Sequence, residues 1–519
     1  MGSGHILVYA FDVFMGIYES EGWNPRDAAV SILQNNLYGL DIDKRAYQLS
    51  YFALMMKARQ YNRRLLTPNN EEERVKPNVF EIKESNNIYR DLLTGTSVNQ
   101  QAKDDFTSLL NQMYDAKEYG SLLEVKPIDF DNLKQELQNQ EVAMFDTVIK
   151  EDIVPLIDCA KLLSQQYDVV VTNPPYLGNP TEKQYVFLCN KYKFGKYDLY
   201  SAFILKASKF MKTYSYAALV TGDSWLTLPS FGGIRDYLVE NETFINLIKL
   251  EYNAFDYGMN TVMFAYSKNR INNYLSKFSS VKNEYQIQNA NELIIFIKDA
   301  NEFKQIKDTP FIFKLSKKVI ESFQHNNLGN YGVTKSGIVT GNNDLFMKLW
   351  YEVDNRDICF NARSMKEVTK WVPSHKGGSN FKYYGNTEYV MKLNDIWNDD
   401  FYTSNMRRGN PDFYFLEGFT WSTVSKKVAF RYSPIGYVYE TKGSMFFVKN
   451  RKYIYYLLGF LNSKIVASLL EELCPGVDFN RSSLLKIPVI ESNINCIQID
   501  NIVNNNLKLG LTSNLVTLL

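Results

Sequence analysis

The run Tyr167-Asp168-Val169-Val170-Val171-Thr172, followed at once by Asn173-Pro174-Pro175-Tyr176, constrains this chain more than any other feature. Three adjacent valines make a strand of the continuous apolar kind that is covered on both faces, as in a parallel sheet. Consecutive prolines cannot continue a ladder, so the strand must stop in a rigid, extended turn. Such a turn fixes what it displays. The side-chain oxygen of Asn173 and the carbonyl of Pro174 can converge as two acceptors on one amino group, while Pro175 stiffens the turn and Tyr176 supplies a face for stacking. An exocyclic amine on a heteroaromatic ring presents that pattern of two N–H donors beside a flat π-system. Acceptors that pull its hydrogens out of plane make the nitrogen more nucleophilic as the transition state forms. The plain alternative is a rigid loop with no chemistry.

The upstream chain supplies a place for an electrophile. Gly2-Ser3-Gly4 opens a helical stretch running toward Glu19, residues 28–35 read as helical, and residues 37–43 read as a short strand ending in acid. A helix over residues 44–63 and a strand over residues 77–82 follow. Alternating strands and helices imply a parallel α/β sheet, with ligands outside the carboxyl ends of its strands. Gly2 and Gly4 suit a turn that approaches a cofactor, and Asp41 suits an acid that accepts from ribose hydroxyls. Their separation exceeds the roughly 20 residues of the dinucleotide fingerprint, which a longer helical segment absorbs. For transfer of a methyl group to an amine by direct displacement, the expected donor is S-adenosylmethionine. A lone Gly-Ser-Gly is otherwise only a turn, and Asp41 otherwise a solvated strand end.

Residues 86–166 are polar and helix-like, and are expected to be a helical insertion. Strand signals return at residues 167–172, 217–221, 244–250 and 261–266, with helices at 199–211 and 231–240, so one α/β domain is expected over residues 1–270. Residues 271–330 read as a mostly helical or irregular connecting region. From residue 331 to 519, short aromatic and β-branched runs at 381–386, 413–421 and 436–447, then a helix over 453–472, predict an α+β domain. Asn504-Asn505-Asn506 reads as a loose surface turn.

Composition narrows the function. Lys plus Arg is 58 against 57 Asp plus Glu, so no global basic field exists and a nucleic acid must meet local patches. Five cysteines without a C-x-x-C pair and three scattered histidines give no disulfide framework and no metal-ligand spacing. No apolar run reaches the roughly 18–20 residues of a membrane span, and no signal-peptide pattern opens the chain, so a soluble, cytoplasmic protein is expected.

The ordered motifs resemble the gamma-class DNA adenine methyltransferases, and more closely the Eco57I-type enzymes fused to specificity domains, including the methyltransferases of BREX phage-defence systems. The resemblance rests on Gly2-Ser3-Gly4-His5-Ile6-Leu7, Gly39-Leu40-Asp41-Ile42-Asp43, Asn173-Pro174-Pro175-Tyr176 and Asp198-Leu199-Tyr200. It continues through Thr221-Gly222-Asp223-Ser224-Trp225-Leu226, Lys335 to Gly341, Lys376-Gly377-Gly378, Gly418 to Ser422 and Leu461-Asn462-Ser463. It implies a Rossmann-like S-adenosylmethionine-dependent methyltransferase sheet followed by a DNA target-recognition domain. It further implies that Asn173, Pro174 and Tyr176 hold a flipped adenine, that Gly2, Gly4, Asp41 and Ile42 contact the cofactor, that Glu84 reaches the cofactor's adenine, and that Phe255 closes the target pocket. Family members carry a strand ahead of Gly-Ser-Gly, so a sheet lacking its first strand is expected here, with weakened cofactor binding.

Double-stranded DNA is the expected partner, along with other phage-defence proteins. Arg407, Arg408, Lys426, Arg431 and Arg451 are candidates for phosphates and base edges, the plain alternative being solvated charged faces. Trp421 and Tyr432 are expected in the core. The leading expectation is methylation of the 6-amino group of adenine. The alternatives are another amino substrate, or a DNA-binding remnant or complex subunit with impaired catalysis.

Overall fold

The computed structural model describes all residues except 68–73, 140–147, 177–178, 252–259, 284–285, 287–288, 402, 426, 475–478, 491–492 and 519. The chain divides into two compact units, Met1–Asp223 with Tyr237–Ile297 and Ser224–Asp236 with Lys298–Leu519.

In the first unit, Gly4 adopts φ +87 and opens the helix His5–Ser20. A side chain there would be strained by that backbone and would stand 3.0 Å from Ser50 Cα, which is why glycine occupies the turn. Strand β1 (Tyr38–Asp41) follows, then Asp43 caps the helix Lys44–Arg59 by accepting from the N–H groups of Arg45 and Ala46. Phe11, Met15, Ala28, Ile32, Leu33, Leu54 and Ala58 interlock beneath these helices. Burying one side chain the size of Leu or Phe contributes about 1.5–3 kcal/mol, so this layer anchors the glycine turn. Strand β2 (Asn78–Glu81) pairs parallel with β1, in register from Tyr38↔Asn78 to Asp41↔Glu81.

Residues 86–166 contain the helices Gln100–Gln112, Phe130–Gln138 and Val154–Ser164 around Phe106, Leu109, Leu133, Leu156 and Leu163, with no strand among the described residues. Strands β3 (Tyr167–Thr172), β4 (Met211–Gly222), β5 (Thr243–Leu250), β6 (Thr261–Ser267), β7 (Leu275–Val281) and β8 (Phe296–Asp299) form a sheet in the order β3-β4-β6-β5-β7-β8. The expectation of a parallel sheet holds for the pairs β1–β2, β3–β4 and β5–β7 but needs correction at β6, which lies antiparallel between β4 and β5. Strands β1 and β2 form their own two-stranded sheet. Strands β7 and β8 occupy part of the stretch expected to be helical or irregular.

The second unit is built on two sheets. One has the order β14-β13-β16-β9, from Gly332–Lys335 (β9), Gly418–Trp421 (β13), Phe430–Ser433 (β14) and Met445–Val448 (β16). The other has the order β10-β12-β11-β15, from Met347–Leu349, Val372–His375, Tyr389–Met391 and Val438–Tyr439 as β10, β11, β12 and β15. Ile338, Phe346, Met391, Ile396, Tyr439 and Met445 belong to one core cluster. The run at 381–386 forms no strand; only Tyr383 bridges to Arg431. The helix expected at 453–472 is two, Ile454–Leu461 and Lys464–Leu473, because the Asn462 amide turns back on the Phe430 backbone and Ser463 caps the second helix. Asn504-Asn505-Asn506 lies within the helix Asn493–Leu518 rather than in a turn. Among the described residues, no single helix is long and apolar enough to cross a membrane.

Gly332 gives a direct test of this packing. A Cβ there would stand 2.3 Å from the Phe447 carbonyl oxygen and 2.4 Å from the Phe446 ring. Gly332→Ala is expected to destabilise the second unit by about 1–3 kcal/mol, as overpacking does. An unchanged denaturation midpoint would contradict the β9–β16 register.

Candidate active site

Strand β3 ends at Thr172, and Asn173 to Tyr176 leave the ladder as two prolines require. Asn173 is exposed, Pro174 buried, Pro175 exposed and Tyr176 half-buried. The Tyr176 hydroxyl donates to Asn173 Oδ1 at 3.0 Å and has the Val220 carbonyl as a second acceptor at 3.3 Å. Burial, and then the nearby Asp198 charge, push the Tyr176 phenol up from its ordinary value, so it stays protonated as a donor at neutral pH. That bond orients the Asn173 amide. An amide oxygen has two lone pairs, so the one beside Tyr176 still leaves one for an incoming N–H.

The ring of Tyr176 meets Tyr200 edge-on, with centroids 5.9 Å apart. Tyr200 is buried at the start of the helix Leu199–Phe210, where Asp198 is the N-cap. A Cβ at Gly222, the last residue of β4, would press on the Tyr200 ring at 3.3 Å. The resembling motifs Asp198-Leu199-Tyr200 and Thr221-Gly222 thus form the wall behind Tyr176. Tyr176→Phe keeps the stacking face and loses one hydrogen bond of about 1 kcal/mol. It should slow single-turnover methyl transfer roughly fivefold, whereas Tyr176→Ala, which also forfeits about 1–3 kcal/mol of stacking, should slow it far more. Equal losses in the two variants would contradict this division of roles.

At the end of β1, Asp41 Oδ2 accepts from the Gly2 N–H at 2.8 Å and from the Met1 ammonium at 3.2 Å, while Oδ1 accepts from the Asp43 N–H at 3.0 Å. The carboxylate ties the glycine turn to the end of β1. With about four acceptor positions and three donors, it retains room for one more, so the residues fit a ribose hydroxyl. The helix His5–Ser20 has no side-chain cap at Gly4, which leaves first-turn N–H groups without intrahelical partners and aimed where an anionic group is favoured. Gly2 also has positive φ and open space around its Cβ position. Ile42 is exposed just past β1, and Glu84 is half-buried beyond β2.

Glu81, which the sequence reading passed over, sits in register with Asp41 and is buried. Burial pushes it up, but Lys117 at 3.0 Å and Lys83 at 3.2 Å outweigh that and hold its carboxyl below the usual range. An acid in a four-residue strand gives no sequence signal of its own; its pairing with Asp41 appears only in the register. Asp223 and Lys249, at or just past the ends of β4 and β5, form a second pair at 3.1 Å, each side chain mostly buried. Phe255 lies outside the described residues.

In the second unit, Arg407 is exposed and Arg408 is half-buried, donating to the Ile396 and Trp397 carbonyls and pairing with Asp399. Arg451 is exposed and pairs with Glu417 at 2.7 Å. Arg431 is fully buried, donating to the Ser379 carbonyl and the Ser422 hydroxyl, so its placement corrects the expectation of a surface contact. Lys426 lies outside the described residues. Trp421 is core, its indole N–H donating to the Phe479 carbonyl, whereas Tyr432 is only partly covered.

The glycine turn, the strand-end acid and the Asn-Pro-Pro-Tyr strand end all belong to the first unit. Residues 35–255 match the model of the Eco57I restriction-modification methylase family. It is 33% identical to the adenine-specific methyltransferase PglX of Lacticaseibacillus casei (strain Zhang), over 94% of this chain and 43% of that protein. It is 31% identical to the adenine-specific methyltransferase BrxX of Escherichia coli O9:H4 (strain HS), over 95% of this chain and 44% of that protein. The chain therefore spans less than half the length of these curated relatives. Among solved structures it is similar in fold to a nuclease-deletion mutant of the Type ISP restriction-modification enzyme LlaGI bound to a DNA substrate mimic. That match has TM-score 0.54 and 11% identity and covers 98% of this chain and 44% of that one. The Type IIL restriction-modification enzyme MmeI in complex with DNA matches with TM-score 0.52 and 11% identity, over 96% and 68% of the two chains.

Proposed function

We propose that this chain transfers a methyl group from S-adenosylmethionine to the 6-amino group of an adenine in double-stranded DNA, within a restriction-modification or BREX-type phage-defence system in the cytoplasm. The observation that carries the reading is the Asn173 amide, held by the Tyr176 hydroxyl at the end of β3 in the same unit as the glycine turn and Asp41. S-adenosylmethionine supplies the electrophilic methyl group. Gly2, Gly4 and the first turn of the His5–Ser20 helix would hold its polar end and Asp41 its ribose, with Ile42 and Glu84 on the adenine side. Asn173 and the Pro174 carbonyl accept from the target amine, Tyr176 stacks on its ring, and Pro175 keeps the turn rigid. A target base must leave the duplex to reach such a loop, at a cost of a few kcal/mol that stacking and these hydrogen bonds offset. Phe255 is proposed to close the pocket. Arg407, Arg408 and Arg451 are proposed DNA contacts, in line with the DNA complexes of LlaGI and MmeI. Other phage-defence proteins are proposed partners.

A second reading, a DNA-binding subunit without catalysis, is favoured by the separation of β1 and β2 from the six-stranded sheet. Calorimetric titration with S-adenosylmethionine decides between them. Micromolar binding supports the methyltransferase, and a folded chain with no heat of binding supports the subunit.

A further inference from the structure

The helical insertion sends one turn, residues 115–123, across the ends of strands that carry both halves of the site. On the cofactor side, Asn86 and Asp115 exchange two hydrogen bonds, Asn86 Nδ2 donating to Asp115 Oδ1 at 2.7 Å and the Asp115 N–H donating to Asn86 Oδ1 at 2.8 Å. Lys117 pairs with Glu81 at the end of β2, and Gly120 packs beside Ile42, where a Cβ would stand 3.3 Å from the isoleucine methyl. On the target side, the same turn holds the helix Glu182–Lys191, which follows the Asn-Pro-Pro-Tyr loop. Lys183 pairs with Asp115 Oδ2 at 3.1 Å, Thr181 donates to Glu118 Oε1 at 2.6 Å, and Gln184 donates to the Glu118 carbonyl at 3.1 Å. The Tyr119 and Phe187 rings stack with centroids 4.3 Å apart.

Asp115 is the residue common to both sets, one carboxylate oxygen facing Asn86 and the other Lys183. It is also held at φ +54, a left-handed conformation that aspartate and asparagine tolerate better than other side chains. Its neighbours hold it there. A change in the loop after β2 therefore reaches the helix after the target loop through Asp115, alongside the Glu118 and Tyr119 contacts of the same turn.

We propose that residues 115–123 couple the two substrate sites, with Asp115 as a positioning residue through which cofactor occupancy at the ends of β1 and β2 orders the helix Glu182–Lys191. The inference rests on the methyltransferase reading, because it requires a cofactor beside Asp41 and Ile42. Coupling of this kind is a free energy shared by two sites, so it is reciprocal and measurable at either one.

The test is amide hydrogen exchange of the full chain with and without S-adenosylhomocysteine, read at residues 38–45 and 182–191. In the unaltered protein both segments should exchange more slowly with ligand, by roughly tenfold for a coupling of ordinary size. Asp115→Asn suits the left-handed backbone and can keep the Asn86 pairing, but removes the charge facing Lys183. In that variant, and in Lys183→Met, protection should persist at 38–45 and be lost at 182–191. Ligand protection at 182–191 that survives both substitutions overturns the coupling role. So does protection confined to 38–45 in the unaltered chain, which leaves the cofactor site standing. No protection at either segment overturns the cofactor reading and the coupling together.

Discussion

Asn173→Ala is expected to slow methyl transfer by roughly 10²–10³-fold, or about 3–4 kcal/mol, the effect of removing one preorganised polar group that acts on charge in the transition state. The change should leave cofactor affinity, DNA affinity and the denaturation midpoint nearly unmoved, because Asn173 is exposed and its side chain accepts from the Tyr176 hydroxyl at the surface of the turn. Without that acceptor the phenol still has the Val220 carbonyl at 3.3 Å, so no buried donor is orphaned. Single-turnover transfer with saturating DNA and cofactor isolates the chemical step. Near-normal turnover in this variant, with fold intact, would remove Asn173 from the mechanism.

Asp41→Ala should act on binding instead. The carboxylate holds the Gly2 N–H, the Met1 ammonium and the Asp43 N–H, and by the present reading a ribose hydroxyl as well. Hydrogen bonds to a charged acceptor contribute about 1.5–3 kcal/mol each, so losing the ribose contact and loosening the turn should weaken S-adenosylmethionine binding by roughly 30-fold or more. Asp41→Asn keeps one acceptor oxygen and should fall between. Calorimetry of the three proteins measures this, and identical dissociation constants would show that the ribose lies elsewhere.

Much of this geometry was legible because the responsible residues act locally. The Tyr167–Thr172 strand was bounded correctly from its valines and the two prolines, although Val169 and Val171 are exposed rather than covered on both faces, and the strand expected over residues 37–43 is the shorter Tyr38–Asp41. What escaped depends on contacts far apart in sequence. Glu81 gains meaning from its register with Asp41, and Asp115 from Asn86, 29 residues before it, and Lys183, 68 residues after it. Polar residues scattered through an insertion carry no periodic signal. The antiparallel β6 escaped because an apolar strand reads the same in either direction. Arg431 was misjudged because charge suggests surface, whereas β14 turns that guanidinium inward onto Ser379 and Ser422.

The most direct test of the central claim is product analysis. The chain is incubated with methyl-labelled S-adenosylmethionine and duplex DNA of mixed sequence, and the DNA is digested to nucleosides for mass spectrometry. Label in N6-methyldeoxyadenosine, absent with Asn173→Ala, is the predicted result. Label in N4-methylcytosine, or no label in DNA from a chain that binds both DNA and cofactor, would contradict it.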